Sequence, residues 1–132
     1  MIDFKRMRWL INKLPKIRWS VELKAANATR ITATITGMPR GGGGNKQENA
    51  YIALADATDA YHEALEELEA MRTELEPLVN ALTDIDERAV MRMRYMKGYK
   101  PEEIAKTIHR TDRSVYIYLK RAERKIMGFQ NA

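Results

Sequence analysis

Ten positions between residues 51 and 82 constrain this chain more than any other feature. Tyr51, Leu54, Thr58, Tyr61, Leu65, Leu68, Arg72, Leu75, Val79 and Leu82 follow one another at alternating steps of three and four. An α-helix turns once in about 3.6 residues, so this alternation draws a single stripe along one helix. Glu63, Glu66, Glu67, Glu69, Glu74 and Glu76 flank the stripe. A helix over 47–82 of this kind needs another helix to cover its seam. Two partners fit: the helix that precedes it, folded back as an antiparallel hairpin, or a second copy of the chain, giving a homodimer or higher oligomer. Tyr51, Leu54, Tyr61, Leu65, Leu68, Arg72 and Leu75 are the candidate seam residues of either arrangement. Arg72 interrupts the apolar run, and a polar residue in such a seam sets register or partner. Pro77 lacks an N–H and clashes with the carbonyl four residues back, which predicts a kinked or divided helix.

Upstream, Phe4, Met7, Leu10, Ile11 and Leu14 fall at helical spacing with Lys5, Arg6, Arg8 and Lys13 between them. This predicts a short basic amphipathic helix that ends before Pro15. Its apolar face can pack on the acidic middle helix or on a partner subunit, and a membrane surface is the alternative. A second helix is expected from Ile17 to Thr36, with Ile17, Val21, Ala25, Ala28 and Ile35 on one stripe. The β-branched run Thr29–Thr36 loses rotamer freedom in a helix, so a strand is the alternative there. Gly37–Asn45 reads as a loop. Its consecutive glycines suggest a phosphate cradle, but no Gly-Lys-Ser/Thr follows and no strand precedes, so a connection between helices is the better reading.

Charge is divided more sharply than the net +5 implies. Residues 1–46 balance to +8, residues 47–87 to −11 and residues 88–132 to +8. A basic C-terminal block suits a polyanionic partner, while the acidic block keeps a helical arm soluble and repels DNA. The abundance of Ala, Leu, Glu, Met, Lys and Arg is a helical composition. Cys is absent, which excludes a disulfide framework, a thiolate zinc site and a cysteine nucleophile and suits a cytoplasmic location. No apolar run approaches the length of a membrane span, and Lys13, Lys16 and Arg18 spoil the N-terminus as a secretory signal. His62 and His109 are the only histidines, with no metal-ligand spacing around either. No nucleophile, base or carboxylate pair stands out, so the chain reads as a binding protein rather than an enzyme, with no cofactor and no metal.

Residues 84–127 read as three helices. Asp84 or Asp86 starts the first, and Gly98 ends it after Lys97. Pro101 opens the second, with Glu102 and Glu103 in its first turn. Ile104, Ala105 and Ile108 form the buried face of this short helix. The link His109-Arg110 is tight, and Thr111 is suited to cap the third helix. Val115, Leu119, Ala122 and Ile126 make an apolar stripe. Arg113, Ile117, Lys120 and Arg124 lie opposite, with Arg121 beside them. Two short helices, a tight turn and a small residue at Ala105, where the helices must approach closely, describe a helix-turn-helix. On its outward face Arg113 suits a guanine edge and Ile117 a thymine methyl. Lys120, Arg121 and Arg124 suit phosphates, as do Arg110, Thr111 and Ser114 near the helix N-terminus.

These residues carry a resemblance. Asp86–Gly98 (DERAVMRMRYMKG), Pro101–Ala105 (PEEIA), Arg113-Ser114-Val115 and Leu119-Lys120-Arg121-Ala122 resemble the C-terminal DNA-binding region, region 4, of sigma-70 family factors. Nothing resembles the part of a sigma factor that melts promoter DNA. The whole layout is similar to small phage and prophage transcriptional regulators, which join a helical arm and a loop such as Gly37-Met38-Pro39 to a sigma-like domain. The resemblance implies recognition of a promoter element, contact with RNA polymerase, and base or phosphate reading by Arg113, Ser114, Ile117, Lys120 and Arg121. In the turn, His109 stands where the family often has Gly, and Arg110 where it often has a small apolar residue.

The expectation is an all-α protein. A basic helix and a hairpin arm occupy residues 1–82, with the loop at 37–45, and a helix-turn-helix domain occupies 84–132. The expected function is sequence-specific binding of double-stranded DNA by a transcription regulator. Two alternatives are a small terminase-like DNA-packaging protein, which would form a ring of subunits, and a protein-interaction module that uses the helical arm.

Overall fold

The computed structural model describes residues 1–37 and 43–131, and the side chains of 1–30 and 46–130. All regular structure among the described residues is helical. The elements are α1 (Phe4–Gly37), α2 (Gly43–Asn80), α3 (Ile85–Met91) continuing into a π-helical turn (Arg92–Met96), α4 (Pro101–Ile108) and α5 (Asp112–Asn131). None is long and apolar enough to cross a membrane. The chain divides into two compact units, one made of Met1–Ile11 with Leu68–Ala132 and the other of Asn12–Glu67. The first unit therefore begins well before residue 84 and takes in both the N-terminus and the end of α2.

Pro15 does not end the first helix. It lies inside α1, because its fixed φ suits a helix and its missing N–H deprives only the carbonyl of Ile11. That carbonyl stands at the division between the two units, where Ile11 is buried and Asn12 is exposed. The backbone of 29–36 is helical, so the strand alternative fails there. The expected loop is shorter than Gly37–Asn45. Gly37 closes α1, and Gly43, Gly44 and Asn45 already belong to α2, while residues 38–42 lie outside the described residues. Pro77 also sits within its helix, three residues before the end at Asn80. Its missing N–H deprives only the Thr73 carbonyl, and beyond it Ala81 donates its N–H back to the Pro77 carbonyl at 3.1 Å.

The seam of α2 divides with the units. Leu68, Leu75, Val79 and Leu82 are fully buried in the first, Leu54, Tyr61 and Leu65 are half-buried in the second, and Tyr51 is exposed. In the first unit these residues, with Leu82 just past the end of α2, share a core with Ile2, Phe4, Met7 and Leu10 from the N-terminus and with Val90, Met91, Tyr95, Ile104, Val115, Ala122 and Ile126. Arg72 ends the polar interruption of the seam in a defined way: its Nε donates to the Tyr95 carbonyl at 2.7 Å and its Nη1 to Glu69 at 2.9 Å. The last carbonyls of a helix have no partner within it, so Arg72 satisfies one of them.

Local chemistry accounts for the helix ends. Asp84 accepts from the N–H groups of Asp86 and Glu87 at 2.8 and 3.1 Å, capping α3. After Met91 the helix widens, and Lys97 donates to the carbonyl of Arg92, five residues back, at 3.1 Å. The neighbours Arg94 and Tyr95 are both buried in this widened stretch, and Arg94 donates to the Tyr99 carbonyl at 3.1 Å. Gly98 then takes the left-handed conformation, φ +76°, that the sequence reading requires of it. In the second unit Ala28 and Ala50 are the fully buried apolar side chains among the described residues. Asn27 and Arg30 of α1 line one shallow groove with Lys46, Asn49, Ala50 and Ala53 of α2.

Residues 1–11 are core, not decoration, which gives a direct expectation. Met7 is completely buried, so Met7→Ala should destabilise the first unit by about 2–5 kcal/mol. Urea unfolding followed by circular dichroism measures it. A loss near zero would mean that the N-terminal helix is not part of that core.

Candidate nucleic-acid interface

The turn between α4 and α5 is built from backbone. His109 adopts the left-handed conformation with φ 56°, and the N–H groups of His109 and Arg110 both reach the Ala105 carbonyl. This is how the chain reverses without Gly: one residue pays the steric cost of a left-handed φ so that two donors can close the end of α4. Ala105 is buried, and Ile104 beside it is fully so. Thr111 caps α5, its Oγ1 accepting from the Ser114 N–H at 3.1 Å and donating to the Ser114 Oγ at 2.9 Å. The two hydroxyls therefore engage each other, which leaves the Ser114 O–H proton directed away from the pair.

α5 is amphipathic as its spacing predicts. Val115, Leu119, Ala122 and Ile126 are buried, while Arg113, Lys120, Arg121 and Arg124 are exposed and Ile117 is 40 % exposed. Among the described residues no carboxylate pairs with Arg113, Lys120, Arg121 or Arg124. Arg110 is exposed too, with Asp86 at 4.0 Å. All eight residues expected to meet DNA thus fall on α5 or the turn before it, with five cations, a branched apolar side chain and two hydroxyls among them. Such a face can satisfy several phosphates and present a guanidinium and a methyl-bearing side chain to base edges.

What holds α5 in place was not visible in the sequence. Ile2 donates its N–H to Gln130 at 2.9 Å. Arg8 donates from one Nη1 to the Tyr95 hydroxyl at 2.9 Å and to Glu123 at 3.1 Å, and Tyr95 donates its hydroxyl proton to the same Glu123 oxygen. The Phe4 and Tyr95 rings lie 5.2 Å apart. Two residues on from Glu123, Lys125 reaches both oxygens of buried Glu87 at 3.0 and 2.7 Å. Arg8 and Glu123 are 115 positions apart, and each reads alone as a solvated charge on an amphipathic helix. Only the fold brings them together.

Two expectations follow from this geometry. Replacing His109 by Gly removes the left-handed strain at the turn and should raise stability by up to about 1 kcal/mol, the relief being partly offset by the greater freedom of Gly in the unfolded chain. Thermal unfolding reads this, and a fall instead of a rise would show that the imidazole itself holds the turn. Second, burial and the Glu123 charge push the Tyr95 phenol above its ordinary value, with Arg8 opposing. The stability this contributes is present below the ordinary tyrosine pKa of about 10 and is lost as pH climbs toward the raised folded value. Urea unfolding at a series of alkaline pH values measures that loss. Tyr95→Phe should flatten the alkaline loss of stability, and an unchanged profile would remove Tyr95 as its source.

The chain belongs to the family described as Protein of unknown function (DUF1492), whose match covers residues 31–127. That span takes in all of α2, α3 and α4 and most of α5. No curated protein and no solved structure matches the chain.

Proposed function

We propose that this member of a family of unknown function binds double-stranded DNA sequence-selectively through α4, the His109 turn and α5, and that it regulates transcription at promoters. The observation that carries the reading is the outward face of α5, where Arg113, Ile117, Lys120, Arg121 and Arg124 stand exposed on a helix whose opposite stripe is core. α4 and α5 in contact across a three-residue turn, with Ala105 buried between them, suit a helix-turn-helix whose second helix enters the major groove. The sigma-like motif residues support a promoter as the target and RNA polymerase as a further partner. The role is one of binding rather than catalysis, in the cytoplasm.

We read Asn12–Glu67 as an antiparallel helical hairpin, the arm of the molecule. Two features support it. Only residues 38–42 separate α1 from α2. Asn27 and Arg30 of α1 line one groove with Lys46, Asn49, Ala50 and Ala53 of α2, so the later part of α1 lies beside the early part of α2.

Arg113 and Lys120 test the face by separate routes. Selection of bound fragments from sheared genomic DNA should yield a short motif, and a labelled duplex carrying it then serves for anisotropy titrations. Arg113→Ala should weaken binding by about 1–3 kcal/mol and relax selectivity at one position. Lys120→Ala should weaken all sequences alike and lower the slope of log K against log salt by about 1. Wild-type affinity in a chain carrying both substitutions would overturn the assignment of this face.

A further inference from the structure

The Asn12–Glu67 unit carries surface that DNA binding does not use. Trp19 is 61 % exposed, and Leu23 and Ile52 are each 52 % exposed. Large apolar side chains scattered singly need no explanation, but these are not scattered. Trp19, Leu23 and Ala26 follow at steps of four and three along α1, all exposed, with exposed Lys16 on the same stripe. Ile52 and Ala55 lie one turn apart on α2, and with Glu48 they border a shallow groove of about 440 Å³. Ala28 and Ala50 are the only fully buried apolar side chains of the unit among the described residues. Two helices can cover one stripe on each other, and they have no further layer to cover another.

Charge indicates what covers these stripes. Residues 12–30 hold five Lys/Arg and a single Glu, whereas residues 47–67 hold six Asp/Glu and no Lys/Arg. Like-with-like packing between molecules would bring Lys16 toward Lys16, or Glu48 and Asp59 toward their own copies, and juxtaposed like charges oppose association. Packing α1 of one molecule on α2 of another sets a basic helix against an acidic one and makes both apolar stripes dry at once. A lipid surface suits Trp19, Leu23 and Lys16 taken alone, but the carboxylates of α2 in the same unit repel an anionic bilayer.

We propose that the Asn12–Glu67 unit is a self-association element: the Trp19–Leu23–Ala26 stripe of one chain seats against the Ile52–Ala55 stripe of a second copy. This interface differs from the seam of α2, whose Leu54, Tyr61 and Leu65 are already half-buried within the chain. It stands apart from DNA binding and does not depend on it.

Sedimentation equilibrium of the full chain, without DNA, tests the proposal. At micromolar concentration the mass should be at least twice the 15.3 kDa of one chain, and added salt should lower it. Leu23→Glu sets a carboxylate against acidic α2, and Ile52→Lys sets an ammonium against basic α1. Each should weaken association tenfold or more while circular dichroism stays unchanged, since both positions are exposed. Mixing the two variants in equal amounts should restore association, because the introduced carboxylate then meets the introduced ammonium while the other contact is unaltered. A single-chain mass at every concentration, variants that associate like the wild type, or a mixture that fails to recover would each overturn it. So would a monomer that binds phosphatidylserine vesicles in place of itself.

Discussion

Tyr95 is the residue on which the rest of the larger unit depends, because three parts of it meet three separate segments. Its hydroxyl lies between Arg8 and Glu123, its ring packs beside Phe4, and its carbonyl accepts from Arg72. The N-terminal helix, the end of α2 and the cationic helix α5 are thus fixed relative to one side chain that is 1 % exposed. Burying the phenol against a half-buried guanidinium and carboxylate is unfavourable unless each has a partner, and here each has one. The π-helical turn is part of the same device. Its wider ring lets Arg94 and Tyr95 both point inward, and its last carbonyls are left for Arg72 to satisfy.

Much of the fold was legible because it was written in short-range terms. Asp84 as a cap, Gly98 as a left-handed stop, Pro101 at a first helical position and Thr111 before α5 are all decisions made within four residues, and sequence shows four residues well. The stripes of α2 and α5 were legible for the same reason, since helical spacing repeats. Pro15 and Pro77 misled because a proline's effect depends on what its surroundings can tolerate. One forfeits a bond to Ile11, already held by its buried side chain, and the other forfeits a bond to Thr73 one turn before its helix ends at Asn80. The exposed members of the candidate site could be found from α5 alone. Its supports Arg8, Tyr95, Gln130 and Glu87 could not, because each pairing spans at least 28 positions and carries no periodic signal.

The position of His109 shows how composition and geometry can diverge. The family to which the motif bears resemblance often has Gly in the turn, and the reason for Gly there is a positive φ. The structure keeps the positive φ and changes the residue. A polar side chain at that place adds an exposed imidazole beside exposed Arg110 and Thr111. The turn thus reverses on a left-handed residue that is not Gly, and α5 after it keeps Val115, Leu119, Ala122 and Ile126 buried.

The three charge blocks acquire a physical meaning once the two units are separated. Half of the basic residues of 88–132 lie on α5 and the turn before it, and among the described residues Arg113, Lys120, Arg121 and Arg124 are exposed with no carboxylate paired to them. The acidic block is split: Glu69, Glu74 and Glu87 belong to the larger unit and pair with Arg72, the N-terminal amine and Lys125, whereas Glu48, Asp56 and Asp59 lie exposed on the smaller one. Carboxylates of the first kind organise their own unit. Those of the second kind have no such role within reach of the helix that bears them, and a row of like charges on an exposed helix raises the local potential that any partner must answer. A cationic helix is the partner that answers it most directly, and the basic half of α1 supplies one in every copy of the chain.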